Sequence, residues 1–189
     1  MSSSFTKKYL IMDSINKNQP EENFKNLIGA EAIEKIKELT DKAGTCFFCT
    51  RIVSQQSFNT RPMAPEKIDD QGCFWFLSAS DSHKNKELLE DPSVQLLFQG
   101  SSYSNYLSIY GKATISTDKE KIRELWNPTM KTWFTEGEDD PRITVIKVTP
   151  MEGYYWDTKN GIAVATIKRL FGAVVGQTYD DSIEGNIAL

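Results

Sequence analysis

The chain has 189 residues, 39% of them hydrophobic and 25% charged, with a formal net charge of -4, the make-up of one globular domain around a single core. The acidic balance argues against broad nucleic-acid binding, which needs a basic face, and no apolar run approaches the length of a membrane span. The first residues, MSSSFTKKYLIMDSINKNQPEE, hold only a short apolar run and no secretory core, so a cytoplasmic location is expected.

Residues 1–23 read as a polar arm, 24–175 as one domain and 176–189 as a tail. Between 29 and 43 the apolar residues Ile33, Ile36, Leu39 and Ala43 recur every three or four positions. That spacing predicts one helix face, with Gly44 as its stop. The period then changes. TCFFCTRIV, TRPMAPEKI, CFWFLSA, VQLLFQG and YLSIYGKATIS are rich in β-branched and aromatic residues and predict strands. Asp69-Asp70-Gln71-Gly72 predicts a hairpin turn. SHKNKELLEDP predicts a short helix ended by Asp91-Pro92.

After Ser116, DKEKIRELW predicts a second helix with Asp118 as N-cap, broken by Asn127-Pro128. MKTWF reads as a further helical piece and EGEDDP as a polar loop. RITVIKVTPMEGYYWD reads as a long, interrupted strand pair, IAVATIKRLFGAVV as a last helix and GQTYDDSIEGNIAL as the tail. Successive strands with helices in the connections predict a mainly β, antiparallel barrel with flanking helices.

Little in the chain points to chemistry. Three cysteines and one histidine are poor material for a zinc site. Cys46 and Cys49 are three apart on a predicted strand, so their side chains face opposite ways and they read as buried thiols. Arg61-Pro62-Met63 places an arginine on a strand whose proline predicts an edge. It is either a phosphate contact or an exposed edge arginine. Ser82-His83-Lys84 opens the short helix, where free amides and a lysine suit an anion, or where Ser82 is a plain cap. His83 reads as solvent-exposed or as a ligand contact. Gly111 inside a strand predicts a bulge or a close approach.

Five pieces, TRPM, FWFLSASDSHKNKEL, YLSIYGKATI, LWNPTMKTWFTEGEDDPRITVIKVTP and YYWD, cover most of residues 40–157. In that order they resemble the general stress protein 26 group of the pyridoxamine 5'-phosphate oxidase-like, flavin-binding split-barrel superfamily. The resemblance implies a homodimer of split β-barrels with FMN, or FAD as the other flavin, at the interface. It implies that Arg61 and Met63 lie along the flavin and its ribityl chain. Leu77, Ser78 and Ala79 would flank the ring through backbone groups, and Ser82, His83 and Lys84 would grip the phosphate. Gln99 would sit near the flavin edge, Trp133 and Phe134 would come from the partner subunit, and Trp156 would lie near the ring.

Two departures matter. His83 stands where the superfamily often carries arginine. The terminal arginine and histidine that hold the substrate phosphate of true pyridoxamine phosphate oxidases have no counterpart in GQTYDDSIEGNIAL. The resemblance therefore implies an FMN-dependent oxidoreductase, a general stress protein acting on an unassigned small molecule or a nicotinamide reductant, rather than a vitamin B6 enzyme. No catalytic residue is nominated. A flavin-binding redox sensor without turnover, and a haem or deazaflavin in the same barrel, stay open.

Overall fold

The computed structural model describes residues 14–18, 22–53, 56–161 and 181–189. The predicted last helix, residues 162–175, lies outside these residues. The chain runs β1 (Leu27–Ile28), α1 (Ala30–Ala43), β2 (Cys46–Thr50), β3 (Asn59–Met63), β4 (Lys67–Ile68), β5 (Phe74–Ala79), α2 (His83–Glu90), β6 (Ser93–Gln99), β7 (Tyr106–Ser116), α3 (Lys119–Leu125), β8 (Ile143–Thr158) and β9 (Ser182–Ala188). Short 3-10 turns cover Ile15–Asn18, Pro128–Thr132 and Gly137–Asp139.

The helices start and stop for local reasons. In α1, Ile36 and Leu39 are buried and Ala43 packs at the core's edge, as predicted, while Ala32 and Thr40 are buried beside them and Ile33 is half-buried. Gly44 closes it in the left-handed region, its N–H bonding Thr40. Ser82 caps α2, accepting from the Asn85 amide. Asp118 caps α3, accepting from the amides of Glu120 and Lys121.

One mixed, mostly antiparallel sheet runs β1-β9-β8-β7-β6-β2-β3, with β5 on the first half of β8 and β4 beside β5. β8 is one continuous strand of 16 residues, not the interrupted strand pair predicted for this stretch. Its first half pairs with β5 and its second half with β9, while β7 runs along both. The register shifts between Tyr110 and Gly111, where Tyr110 pairs with Glu152 but Gly111 pairs with Pro150. Met151 is thus the extra residue, and the bulge absorbs a proline that has no amide to give the ladder. A Cβ on Gly111 would lie 2.5 Å from the Thr149 carbonyl oxygen.

The predicted tail is also a strand. Residues 182–188 of β9 pair antiparallel with β8 and parallel with β1. A Cβ on Gly185 would fall 1.9 Å from the Lys25 carbonyl oxygen, so only glycine lets the two backbones approach this closely. Ile187 is buried in the main core.

That core fills the barrel. Phe48 meets Phe76 edge to face at 5.3 Å, and Phe74 stacks on Phe98 at 5.6 Å. A second cluster joins Leu77, Ile122, Leu125, Phe134, Ile143 and Val145 beneath α3. Cys46, Cys49 and Cys73 are buried and free. Burial, then the neighbouring Cys49, pushes the Cys46 thiol up to about 12, so it presents no thiolate for chemistry.

Candidate functional site

The capped start of α2 lies against β2, β3 and β5, and polar side chains gather there. Lys84 is half-buried, and its Nζ donates to Ser78 Oγ at 2.6 Å. Arg61 on β3 donates from one terminal nitrogen to Thr50 Oγ1 at 2.9 Å and from the other to Glu87 Oε2 at 2.8 Å. Burial, followed by the Arg61 charge, pushes Lys84 down to about 8 against the pull of Glu87. The two cations are therefore close enough to feel one another, and Glu87 is the carboxylate that offsets them.

Buried hydrogen bonds set both cations in place. Ser78 Oγ donates to Asn85 Oδ1 at 2.8 Å, and Asn85 Nδ2 donates to Thr144 Oγ1 at 2.8 Å. Thr144 returns its hydroxyl to the Ser78 carbonyl at 2.9 Å. Ser78, Asn85 and Thr144 are all buried, so the loop fixes the oxygen that Lys84 meets. Glu87, also buried, accepts from Thr50 Oγ1 and from Asn59 Nδ2, each at 2.5 Å.

The structure gathers only some of the predicted site residues. Arg61, Ser78, Ser82 and Lys84 converge; Ser82 Oγ lies 3.3 Å from Ser78 Oγ. His83 is exposed on the first turn of α2. Met63 shares the strand face of Arg61 and packs against the main core. Leu77 and Ala79 belong to the second cluster, Leu77 as a buried member and Ala79 at its edge. Phe134, named with Trp133 as a partner-facing residue, is 4% exposed and lies 6.4 Å from the Trp126 ring within the same cluster. Its neighbour Trp133 is 64% exposed. Arg142 donates to the Trp133 carbonyl and pairs with Asp140, fixing this loop.

Gln99 and Trp156 lie elsewhere. Tyr106 pairs with both, on β6 and on β8. Cross-strand partners share a sheet face, so Gln99, Tyr106 and Trp156 form one row. Leu96 and Phe98 are buried in the barrel, which puts that row on the outer face. Arg61 pairs with Phe48, which is fully buried, so it belongs to the inner face. The outer row borders a groove of about 470 Å3 lined by Tyr103, Tyr106, Trp156 and Glu184. Trp156 is braced there by Tyr154, with ring centroids 4.6 Å apart.

The sequence did not single out Thr50, Asn59, Asn85, Glu87 or Thr144. In HKNKELLE, Asn85 and Glu87 look like part of a solvated face. Only the packing of α2 on the barrel end buries them.

Comparison with known proteins fits this geometry. Over 94 residues the chain is 32% identical to protein bli-3 of Neurospora crassa, an alignment covering 45% of each chain. The chain thus spans less than half the length of that relative. The crystal structure of a general stress protein 26 from Jannaschia sp. superposes with a TM-score of 0.69 at 22% identity, covering 82% of this chain and 97% of that one. A protein of Xanthomonas citri described as a general stress FMN/FAD binding protein gives a TM-score of 0.52 at 23% identity, covering 61% and 82%. At these identities the two structures establish the split-barrel fold. The profile of the family described as pyridoxamine 5'-phosphate oxidase like matches residues 31–180, and the chain belongs to that family.

Proposed function

We propose that the chain binds a flavin, FMN in first place and FAD as the alternative, and serves as an oxidoreductase for a small molecule. The observation that carries this reading is the Arg61–Lys84 pair. Two cations stand together, one of them half-buried and, among the described residues, hydrogen-bonded only to a hydroxyl, and this suits a terminal phosphate. The exposed start of α2 adds backbone N–H groups. The group fits the residues present: Lys84 and the Arg61 N–H groups that Thr50 and Glu87 leave over would hold the phosphate, and Ser82 would supply a hydroxyl.

When bound, the flavin supplies hydride acceptance at its ring. The chain's part is to hold and orient that ring and to exclude water from it. The backbone of β5 from Leu77 to Ala79 provides one wall. The outer-face row of Trp156, Tyr106 and Gln99 lies on the other side of the sheet from Arg61, so a second copy of the chain brings it to the same flavin. The exposed Trp133 suits the same role. The sites are therefore completed in a homodimer. His83, exposed on the outer turn of α2, suits a haem iron poorly.

The test is titration of Lys84→Ala with FMN and with riboflavin, which lacks the phosphate. FMN affinity falls roughly 10–100-fold, the range for losing a charge-assisted contact of about 1.5–3 kcal/mol, while riboflavin affinity changes little. Equal losses for both ligands reject the phosphate assignment. Anaerobic reduction of the loaded protein by NADH or NADPH then separates an oxidoreductase from a flavin carrier without turnover.

A further inference from the structure

A carboxylate beside a phosphate site needs an explanation, because its charge repels the ligand. Glu87 is buried and sits within hydrogen-bonding distance of Arg61, the cation that the reading above assigns to the phosphate. Burying a carboxylate is costly unless it is fully hydrogen-bonded. Burial alone would push its carboxyl up, but hydrogen bonds from Thr50, Arg61 and Asn59 outweigh that and hold it below the usual carboxylate value. It therefore stays ionised at neutral pH, beside the place where a second anion would bind.

The geometry shows what the charge does. Thr50 Oγ1 donates to Glu87 Oε2 and accepts from one terminal nitrogen of Arg61, while the other terminal nitrogen donates to the same Glu87 oxygen. Three side chains close a ring, and Thr50 within it is fully buried. A ring that engages both ends of the planar guanidinium fixes its plane as well as its position. Asn59 holds the other carboxylate oxygen, so Glu87 cannot rotate away. The guanidinium carries five N–H groups in a fixed fork, and Thr50 and Glu87 engage one on each terminal nitrogen, which leaves the others for a ligand.

We propose that Glu87 is a positioning residue for the phosphate site: through its ring with Thr50 it holds the Arg61 guanidinium in the orientation that receives the flavin phosphate. This rests on the assignment of the phosphate to Arg61 and Lys84. A preset guanidinium gives up little freedom when the ligand arrives. The same carboxylate keeps two neighbouring cations from repelling one another before it does. The sign of its effect is therefore the decisive quantity. As a simple like charge it opposes FMN; as a positioning residue it favours FMN.

The experiment is a double-substitution cycle in the full chain, using Arg61→Ala, Glu87→Gln and the pair together. Dissociation constants for FMN and riboflavin are read by flavin fluorescence, with thermal melting to show that each variant is folded. Glu87→Gln keeps the volume but removes the charge and leaves one acceptor oxygen where Thr50, Arg61 and Asn59 donate to two. It is expected to weaken FMN about tenfold, leave riboflavin within twofold, and add nothing in the Arg61→Ala background. Tighter FMN binding by Glu87→Gln overturns the proposal. So does a parallel loss of both ligands that persists without Arg61, since that is the mark of a residue that only fastens α2 to the barrel. If Arg61→Ala leaves the FMN-to-riboflavin ratio unchanged, the phosphate assignment itself falls and takes this inference with it. Should Glu87→Gln fail to fold, Asn59→Ala removes one of the donors that hold Glu87. It is expected to weaken FMN about threefold without touching riboflavin, and an unchanged ratio overturns the proposal.

Discussion

Lys84 is pushed down to about 8 by burial and by Arg61, so without ligand half of the molecules lack that charge at pH 8. A phosphate dianion binds the protonated form. FMN affinity is thus expected to be nearly level between pH 7, where the phosphate is mostly dianionic, and pH 8, and to fall as pH rises past it, by up to tenfold per unit. Glu87, held below the usual carboxylate value, stays ionised across this window and does not blur it. Riboflavin affinity stays level. Titrations between pH 7 and 9.5 check this, and a parallel fall for both ligands removes Lys84 from the phosphate site. Ligand-free stability moves the other way. The folded pKa lies below the ordinary value of 10.5, so the unfolded chain binds more protons between about 8 and 10.5, and this group adds stability as pH rises through that window. At this scale the residues of the proposed phosphate site were legible, since Arg-Pro-Met on a strand and Ser-His-Lys at a helix start have local signatures. Their supports were hidden: Glu87 and Asn85 have the composition of a solvated face, and only tertiary packing buries them.

The bulge in β7 and β8 shapes the barrel wall. It lets Pro150 sit inside a ladder and bends the long strand from its pairing with β5 to its pairing with β9. Gly111 makes it possible. A methyl there meets the Thr149 carbonyl oxygen at 2.5 Å, which is backbone and cannot swing aside. Gly111→Ala is expected to cost about 2 kcal/mol, a drop of roughly 4–8 °C in the melting midpoint for a chain of this size. An unchanged midpoint shows that the ladder can shift at that point. The sequence flagged this glycine because a glycine amid alternating apolar residues is conspicuous. It hid β9, where SIEGNIA carries a charge, an asparagine and a glycine and lacks the dense β-branched pattern of the other strands. Its pairing is dictated by long-range partners, the edge of β8 and the returning β1.

The whole molecule separates the two halves of the proposed site. Arg61 and Lys84 lie at the inner end of the barrel under α2, while Trp156 and Gln99 occupy the outer face. In the proposed dimer each flavin takes its phosphate grip from one chain and an aromatic wall from the other. Lys84→Ala and Trp156→Ala each damage both sites of a homodimer. Combined in one mixed dimer, they leave one site doubly damaged and the other intact. Purified mixed dimers are therefore expected to recover about one tight FMN site per two chains, read by stoichiometry at low FMN. No tight site in the mixed dimer means that both residues serve the same chain. The barrel class was legible in the succession of strands. The face assignment was not, because it depends on register.

The pairing of β1 with β9 carries a consequence for how the chain reaches this structure. Leu27 meets Ile187, and the neighbouring Asn26 and Asn186 bond across a separation of 160 residues. Closing so large a loop is entropically expensive and is repaid only after the strands between have ordered. That edge therefore contributes little to the rate-limiting step of folding. Its contacts act on the opposite rate, as a clasp that slows opening of the finished sheet.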